Sequence, residues 1–273
     1  MKTLSRSIVA LALLGAGAAQ AATMTVTTVG NTPALDTWYL TNYRDDSNGF
    51  TSNTVAAISG ANPRSGNGSV QMSLTDASGK ADYAYTWGFR ADRTLGSLDS
   101  LGYDWFRAGG SSATHLQPAM RLYYDADGQS NTTGDQGYLI WEQIYQGAPT
   151  LQGQWVSSDI LGGNFWQRQF SPGNTVEDFD MTLAQWAAGM APDVTPFDRL
   201  SSSTSILGIE FGIGSGWGGS FDGFVDNVRI GFAGADATTF NFELERNDVP
   251  EPASLALLAL GAFGIAAARR RKQ

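Results

Sequence analysis

The chain has 273 residues and a formal net charge of −9 at pH 7, and it contains no cysteine. Six of its 17 basic residues lie in the first 21 and last five positions, so residues 22–249 carry 11 basic and 25 acidic residues, a net charge of −14. Such a surface repels phosphate backbones and argues against nucleic-acid binding, while the lack of cysteine excludes stabilisation by disulfides.

The N-terminal segment has the pattern of a secretory signal peptide. Lys2 and Arg6 form a basic start, Ile8–Ala18 is an apolar stretch, and Ala19 and Ala21 give the small-x-small pattern that signal peptidase cleaves. We therefore expect residues 1–21 to be removed. The mature protein then begins near Ala22 and lies outside the inner membrane.

Residues 22–248 have the pattern of an all-β domain. Runs that alternate or are rich in β-branched and aromatic residues recur between clusters of Gly, Asn, Asp and Ser. The predicted strands are Met24–Val29, Ser69–Leu74, Tyr83–Phe89, Leu98–Phe106, Met120–Tyr124, Tyr138–Tyr145, Gln154–Ser157, Ile206–Ile213, Gly223–Phe232 and Thr239–Leu244. Their spacing predicts an antiparallel β-sandwich of jelly-roll type, and about 227 residues suffice for one sizeable core.

A single short helix is predicted within this domain. Met181–Met190 places Leu183, Trp186 and Ala187 at i, i+3, i+4 spacing, and Gly189 lies close to its end. One helix among so many strands is an accessory rather than a layer.

Two tryptophans are the candidate ligand contacts. The eight tryptophans of the chain are mostly expected between the sheets, since sandwiches fill that space with aromatic rings. Trp217 differs because it stands in the glycine-rich stretch Gly212–Gly219, which favours a loop, and Trp166 also stands beside loop-forming residues. Sugar rings stack on exposed indoles, so Trp217 and then Trp166 are predicted to contact a glycan.

An acidic loop offers a candidate metal site. Asp125 and Asp127, with Asp135 or Asn131, supply the carboxylate and amide oxygens that Ca²⁺ accepts. The EF-hand pattern fails, because Gly128 comes too early and no Glu closes a twelve-residue loop. The alternative is that these acids form Asx turns at a strand end. A structural Ca²⁺ is the one cofactor that the sequence suggests.

The sequence carries no established catalytic motif. It lacks a Gly-x-Ser-x-Gly elbow, a Walker loop and paired His or Cys metal ligands, and His115 is the only histidine. Glu142 and Glu210 lie within apolar runs and are the acids that a glycoside hydrolase could use. Strand glutamates more often point to solvent, so no catalytic residue is predicted.

Two segments resemble the β-sandwich modules of carbohydrate-binding and other secreted bacterial proteins. Phe221–Ile230, with the sequence FDGFVDNVRI, is similar to a late strand of those modules, and Leu139–Glu142 followed by Gln154–Val156 looks like paired central strands of secreted proteins. The resemblance implies a jelly-roll fold. Modules of this type often bind a structural calcium, so Asp222 and Asp226 are alternative candidate ligands. Function inferred from fold alone is analogy.

The last 25 residues have three parts in a fixed order. Val249, Pro250, Glu251 and Pro252 come first, an uncharged run over residues 253–268 follows, and a basic cluster closes the chain. That cluster is Arg269, Arg270, Arg271 and Lys272. The run predicts a transmembrane helix of about 24 Å, short for a permanent span. The basic cluster acts as a stop-transfer signal and keeps the C-terminus cytoplasmic.

This order resembles the PEP-CTERM sorting signal of Gram-negative bacteria. The resemblance implies that exosortase, a membrane transpeptidase or protease, cuts near Pro250-Glu251-Pro252 and releases or attaches the protein. An ordinary single-pass anchor with an incidental Pro-Glu-Pro is the alternative. We thus expect export, transient anchoring by the C-terminus, and delivery to the cell surface or extracellular matrix.

Taken together, the sequence predicts a non-catalytic protein that binds polysaccharide or builds the exopolysaccharide of a biofilm. Signal peptidase and exosortase are its expected processing partners. A secreted glycan-active hydrolase is the alternative, and a structural coat protein without a sugar ligand is a third interpretation.

Overall fold

A computed structural model of the chain describes residues 21–44, 47, 49, 53–132, 134–171, 173, 175–190, 199–214 and 217–245. These residues form fourteen strands in two sheets and one short helix, a nearly all-β fold as the sequence predicted. The predicted signal peptide up to residue 20 and the whole predicted sorting tail lie outside the described residues. Within the described ranges, the structure contains no helix whose length and hydropathy would let it span a bilayer.

The first sheet is built around a long central strand. Its strands are β1 (Ala22–Val26), β3 (Thr54–Ser59), β4 (Ser69–Leu74), β6 (Leu98–Arg107), β9 (Trp155–Asp159), β13 (Phe221–Phe232) and β14 (Thr238–Phe242). Strand β13 pairs with β4, β6 and β14, and β6 continues to β9. All pairs are antiparallel except that of β1 with β14, which is parallel.

The second sheet has the order β11-β10-β8-β7-β12-β5-β2 and is antiparallel throughout. Its strands are β2 (Trp38–Arg44), β5 (Lys80–Thr86), β7 (Ala119–Asp125), β8 (Gln136–Trp141), β10 (Trp166–Gln169), β11 (Thr175–Val176) and β12 (Ser205–Gly214). Strands β2, β3, β10 and β11 were not predicted from the sequence.

The core lies between the two sheets and is rich in aromatic rings. Trp38 of the second sheet meets Phe240 and Phe242 of the first, with ring centroids 5.3 and 5.2 Å apart. Five of the eight tryptophans are buried here, as expected for a sandwich, and these are Trp38, Trp87, Trp105, Trp141 and Trp186. The other three are Trp155, Trp166 and Trp217, which are half-buried.

The helix α1 (Leu183–Ala187) is shorter than predicted. Thr182 caps its N-terminus by accepting a hydrogen bond from the backbone N–H of Gln185, whose side chain bonds back to the backbone of Thr182. Gly189 stands in the left-handed region at φ 70°, which ends the helical turn. The prediction of one helix is confirmed, and its predicted bounds, Met181–Met190, were too wide.

Candidate functional site

The outer face of the second sheet, which points away from the core, carries the candidate site. Along β12, Ile209, Phe211 and Ile213 point into the core, so Glu210 and Gly212 between them belong to the outer face. The same alternation places Arg121 of β7 on this face between the core residues Met120 and Leu122.

An ion network is buried at the centre of the outer face. Arg121 donates from Nη1 to Asp82 Oδ1 at 2.7 Å and to Glu210 Oε1 at 2.6 Å. Asp82 is fully buried and Glu210 is only 3% exposed. Lys80 Nζ lies 3.1 Å from Asp82 Oδ2, and Tyr138 donates its hydroxyl to Glu210 Oε2 at 2.9 Å. The acids are therefore held in fixed positions by their own partners.

A glycine makes this network possible. Gly212 is paired with Asp82 across the β12–β5 ladder. A Cβ at position 212 would lie 1.9 Å from Asp82 Oδ1, so only a residue without a side chain leaves space for this carboxylate.

Burial changes the proton affinity of Glu210. Removal from water, together with the nearby charge of Asp82, raises the pKa of Glu210 to about 7, although Arg121 and Tyr138 act in the opposite direction. The network is therefore sensitive to loss of its single arginine.

A cleft of about 390 Å³ lies over this network. Side chains from six of the seven strands of the second sheet and from the loop before β13 line it. They are Asn42, Lys80, Ala119, Arg121, Tyr138, Ile140, Glu142, Trp166, Arg168, Phe170, Glu210, Gly214 and Trp217. Both tryptophans that the sequence selected, and both candidate acids, thus belong to one cleft.

Trp166 is oriented by an acid. It opens β10 opposite Ile140, and its indole N–H donates to Glu142 Oε2 at 3.0 Å. Glu142 follows directly after β8, rather than lying within a strand, and burial raises its pKa above the ordinary value despite this hydrogen bond. The ring of Trp166 is therefore fixed at one side of the cleft while remaining half-buried.

Trp217 stands at another side of the cleft, in the loop between β12 and β13 that the glycines predicted. Its ring packs edge-on against Phe221 with a centroid separation of 5.0 Å. One side of the indole is therefore anchored to the core, and the half-buried ring also borders the cleft.

Further aromatic rings extend the cleft beyond β10. Phe170 is 43% exposed, and its ring lies 4.7 Å from Tyr138 and stacks on Tyr123 at 5.8 Å. Arg168, on the same side of β10 as Trp166, is exposed.

Three residues of the site, Arg121, Asp82 and Arg168, were not predicted from the sequence. The position of Arg121 within an apolar run was a signal that could have identified it.

The aspartates predicted as metal ligands lie in two separate places. Among the described residues, the acids close enough to share one ion are Asp125, Asp127 and Asp135, around the β7–β8 loop. Asp222 and Asp226 lie on β13 in the other sheet.

Asp226 connects two backbone segments through hydrogen bonds. Its Oδ1 accepts from the N–H of Phe242 at 2.9 Å, and its Oδ2 accepts from that of Ser65 at 3.2 Å. Burial raises the pKa of Asp226 to about 6. Both oxygens thus fasten β13 to β14 and to the loop before β4.

Comparison with known families identifies the tail. The model of the PEP-CTERM protein-sorting motif matches residues 248–272, which confirms the resemblance seen in the sequence. No curated protein matches the chain.

Solved structures similar to the chain include a β-1,2-glucanase from Parabacteroides distasonis, at 12% identity and a TM-score of 0.36 over 72% of this chain and 23% of the glucanase. The family 11 carbohydrate-binding module from Clostridium thermocellum, in complex with a β-1,3-1,4-mixed-linked tetrasaccharide, is 12% identical with a TM-score of 0.34 over 78% of this chain and 93% of the module. A third structure comes from a study of the promiscuous specificity of carbohydrate-binding modules from the β-sandwich superfamily. It is 13% identical, with a TM-score of 0.33, and the match covers 71% of this chain and 57% of the other chain.

Proposed function

We propose that this chain is an exported, non-catalytic protein that binds polysaccharide in the cleft on the outer face of its second sheet. The observation that carries the proposal is the arrangement of Trp166 and Trp217 around one cleft whose floor is a fixed network of polar groups. Neither tryptophan belongs to the group buried between the sheets.

The cleft offers the two kinds of contact that a sugar needs. The C–H faces of a pyranose stack on aromatic rings, and its hydroxyl groups require donors and acceptors at the rim. Trp166, Trp217 and Phe170 provide rings, while Arg168, Lys80 and Asn42 provide donors along the same cleft. Because the indole of Trp166 is already held by Glu142, little conformational entropy is lost when a sugar stacks on it.

The same geometry favours binding over hydrolysis. A glycosidase needs one carboxyl group that protonates the leaving oxygen and a second that attacks or activates water. Glu210 has Oε1 bonded to Arg121 and Oε2 bonded to Tyr138, so both of its oxygens are engaged within the protein. Glu142 borders the cleft with one oxygen bound to Trp166. A hydrolase that uses these two acids is the second candidate because both line one cleft and burial raises both pKa values.

The C-terminal tail supports an extracellular location for the proposed binding. The sorting motif at residues 248–272 fits a protein that is exported, held briefly in the inner membrane and then cut by exosortase. The signal-peptide pattern over residues 1–21 and the strongly acidic composition of residues 22–249 agree with work outside the cell. Binding to the polysaccharide of the extracellular matrix is the function that accounts for both the cleft and the sorting tail.

The proposal is tested by glycan binding with paired tryptophan variants. The full-length chain, purified in detergent, is applied to a glycan array that includes the exopolysaccharide of the native host. Trp217→Ala and Trp166→Ala are each expected to weaken binding by about tenfold or more, since a buried aromatic anchor contributes about 2 kcal/mol. Trp155→Ala is the matched control, because Trp155 is also half-buried but lies on β9 of the other sheet.

Two results would contradict the proposal. One is the absence of binding to any glycan by a correctly folded chain. The other is equal binding by the wild type and by both cleft variants. Release of reducing ends from a bound glycan, abolished in Glu142→Gln, would instead favour the hydrolase.

A further inference from the structure

We infer that the β7–β8 loop holds a calcium ion between Asp125, Asp127 and Asp135. None of these three residues lines the cleft, and the inference does not rest on the proposed sugar binding. Asp125 is the last residue of β7, and Asp135 directly precedes β8, so the two strands bring acids from both ends of the loop together.

The distances between the acids fit one ion. One carboxylate oxygen from each of the three residues can be chosen so that all lie within 4.8 Å of one another. Calcium binds oxygen at about 2.4 Å, so two of its ligands are at most about 4.8 Å apart. Three carboxylates meet its preference for hard oxygen donors, and water commonly completes such a shell.

A buried oxygen without a hydrogen-bond donor points to the ion independently. Asp135 is only 9% exposed, and within the described part of the chain its Oδ1 receives no hydrogen bond. Its Oδ2 accepts from the backbone N–H of Asp127 at 3.2 Å, so the side chain is already fixed toward the loop. An acceptor that is buried in this way needs a partner, and a cation among neighbouring acids provides one.

Charge gives the second reason for a cation. Asp125 is fully buried beside the other two acids, and no ion pair to any of the three is found among the described residues. This contrasts with Asp82 and Glu210, which form ion pairs with Arg121 and, for Asp82, also with Lys80. Buried charges in proteins are paired or coordinate metals.

The remaining hydrogen bonds show a loop that is already shaped. Asp125 Oδ1 accepts from the N–H of Gly128 at 3.0 Å, and Asp127 Oδ1 accepts from the N–H of Gln129 at 2.8 Å. Each bond leaves lone pairs on the same carboxylate for a metal. The Asx turn that the sequence offered as the alternative is therefore present at Asp127, and it is compatible with the ion.

Terbium luminescence and calorimetry test the site without any sugar. The full-length chain in detergent is treated with EDTA, dialysed, and titrated with Tb³⁺, which replaces Ca²⁺ and is excited through nearby aromatic rings. Tyr123 is suitably close, since its hydroxyl donates to Gln136, whose side-chain amide donates to Asp125. We expect saturable luminescence that Ca²⁺ displaces and a single calorimetric Ca²⁺ site.

Asp135→Asn and Asp127→Asn are the decisive variants, and each should weaken Ca²⁺ binding by more than about tenfold. Asp127 is exposed, so its variant is expected to fold even if Asp135→Asn does not. Asp76→Asn is the matched control, because Asp76 forms a similar Asx turn with Ser78 in the β4–β5 loop.

Saturable binding by the wild type and Asp76→Asn, with loss in the two loop variants, would support the site. No saturable binding by a chain of native circular dichroism would overturn it, as would equal binding by Asp127→Asn. Tighter binding of Mg²⁺ than of Ca²⁺ would overturn the assignment of the ion. None of these outcomes depends on whether a glycan binds.

Discussion

Arg121 forms ion pairs with two buried acids at once, and the outer face depends on it. Replacement by methionine keeps the apolar stem but leaves Asp82 and Glu210 buried near each other without their shared guanidinium. Breaking a buried ion pair by removing one partner costs about 3–5 kcal/mol. We expect Arg121→Met to lower the free energy of unfolding by that amount, measured by urea unfolding followed through tryptophan fluorescence.

The control for this change is Arg168→Met, which removes the same group from the same face. Arg168 is exposed, so the expected loss is below about 1 kcal/mol. An unfolding free energy of Arg121→Met within 1 kcal/mol of the wild type would show that the network does not stabilise the fold. Equal losses in the two variants would show the same.

Individual site residues could be predicted from sequence only where their neighbours were unusual. Glycines around Trp217 indicated a loop, and that inference placed it correctly between β12 and β13. The role of Glu210 could not be predicted, because its burial comes from Arg121 and Tyr138, far away in sequence. Whether Trp217 and Trp166 contact a ligand stays a prediction.

At the level of elements, helix α1 fixes the start of β10. Trp186 of the helix is fully buried and donates its indole N–H to the carbonyl of Phe165 at 2.9 Å, next to Trp166 of the cleft. The backbone N–H of Phe165 donates to the carbonyl of Met181, just before the helix. A five-residue helix is too short to be stable alone, so its cap and this packing hold it.

Removal of the cap is expected to weaken the domain. Thr182→Ala deletes the hydroxyl that accepts from Gln185, and loss of such an N-cap costs about 1 kcal/mol. The free energy of unfolding in urea measures the effect, with Thr23→Ala on the exposed strand β1 as the control. A Thr182→Ala chain as stable as the control would mean that the capping box contributes nothing.

Whether a strand could be predicted depended on its length and on its content of β-branched and aromatic residues. Strands β12 and β13 have long runs of β-branched and aromatic residues, and the sequence predicted both. Strands β3 and β10 were missed because β3 mixes small and polar residues and β10 has only four residues. Such edge or short strands form through pairing with neighbours, as β3 does with β4, rather than through a pattern of their own.

At the level of the whole molecule, the first and last strands of the domain lie side by side. Strand β1 begins at Ala22, directly after the predicted cleavage at Ala21, and pairs in parallel with β14. Strand β14 ends at Phe242, and the matched sorting motif begins at residue 248. The predicted apolar run begins at residue 253, eleven residue steps after Phe242. Eleven steps span at most about 40 Å, so a tail held in the membrane would keep the sandwich near the membrane surface. Release of the domain from that surface then requires a cut.

The sorting tail therefore makes a prediction about mass. We expect the mature protein from the native host to begin at Ala22 and to end between Val249 and Pro252. Intact-mass measurement of the purified protein checks both ends. Replacement of Pro250, Glu251 and Pro252 by alanine should leave a membrane-bound chain that still contains residues 269–273, because the segment that exosortase recognises is lost while the apolar run remains. Pro33→Ala, an exposed proline outside the tail, should be processed like the wild type. A full C-terminus on the wild-type protein would show instead that the tail is a permanent anchor, and the proposed glycan binding would then take place at the membrane surface.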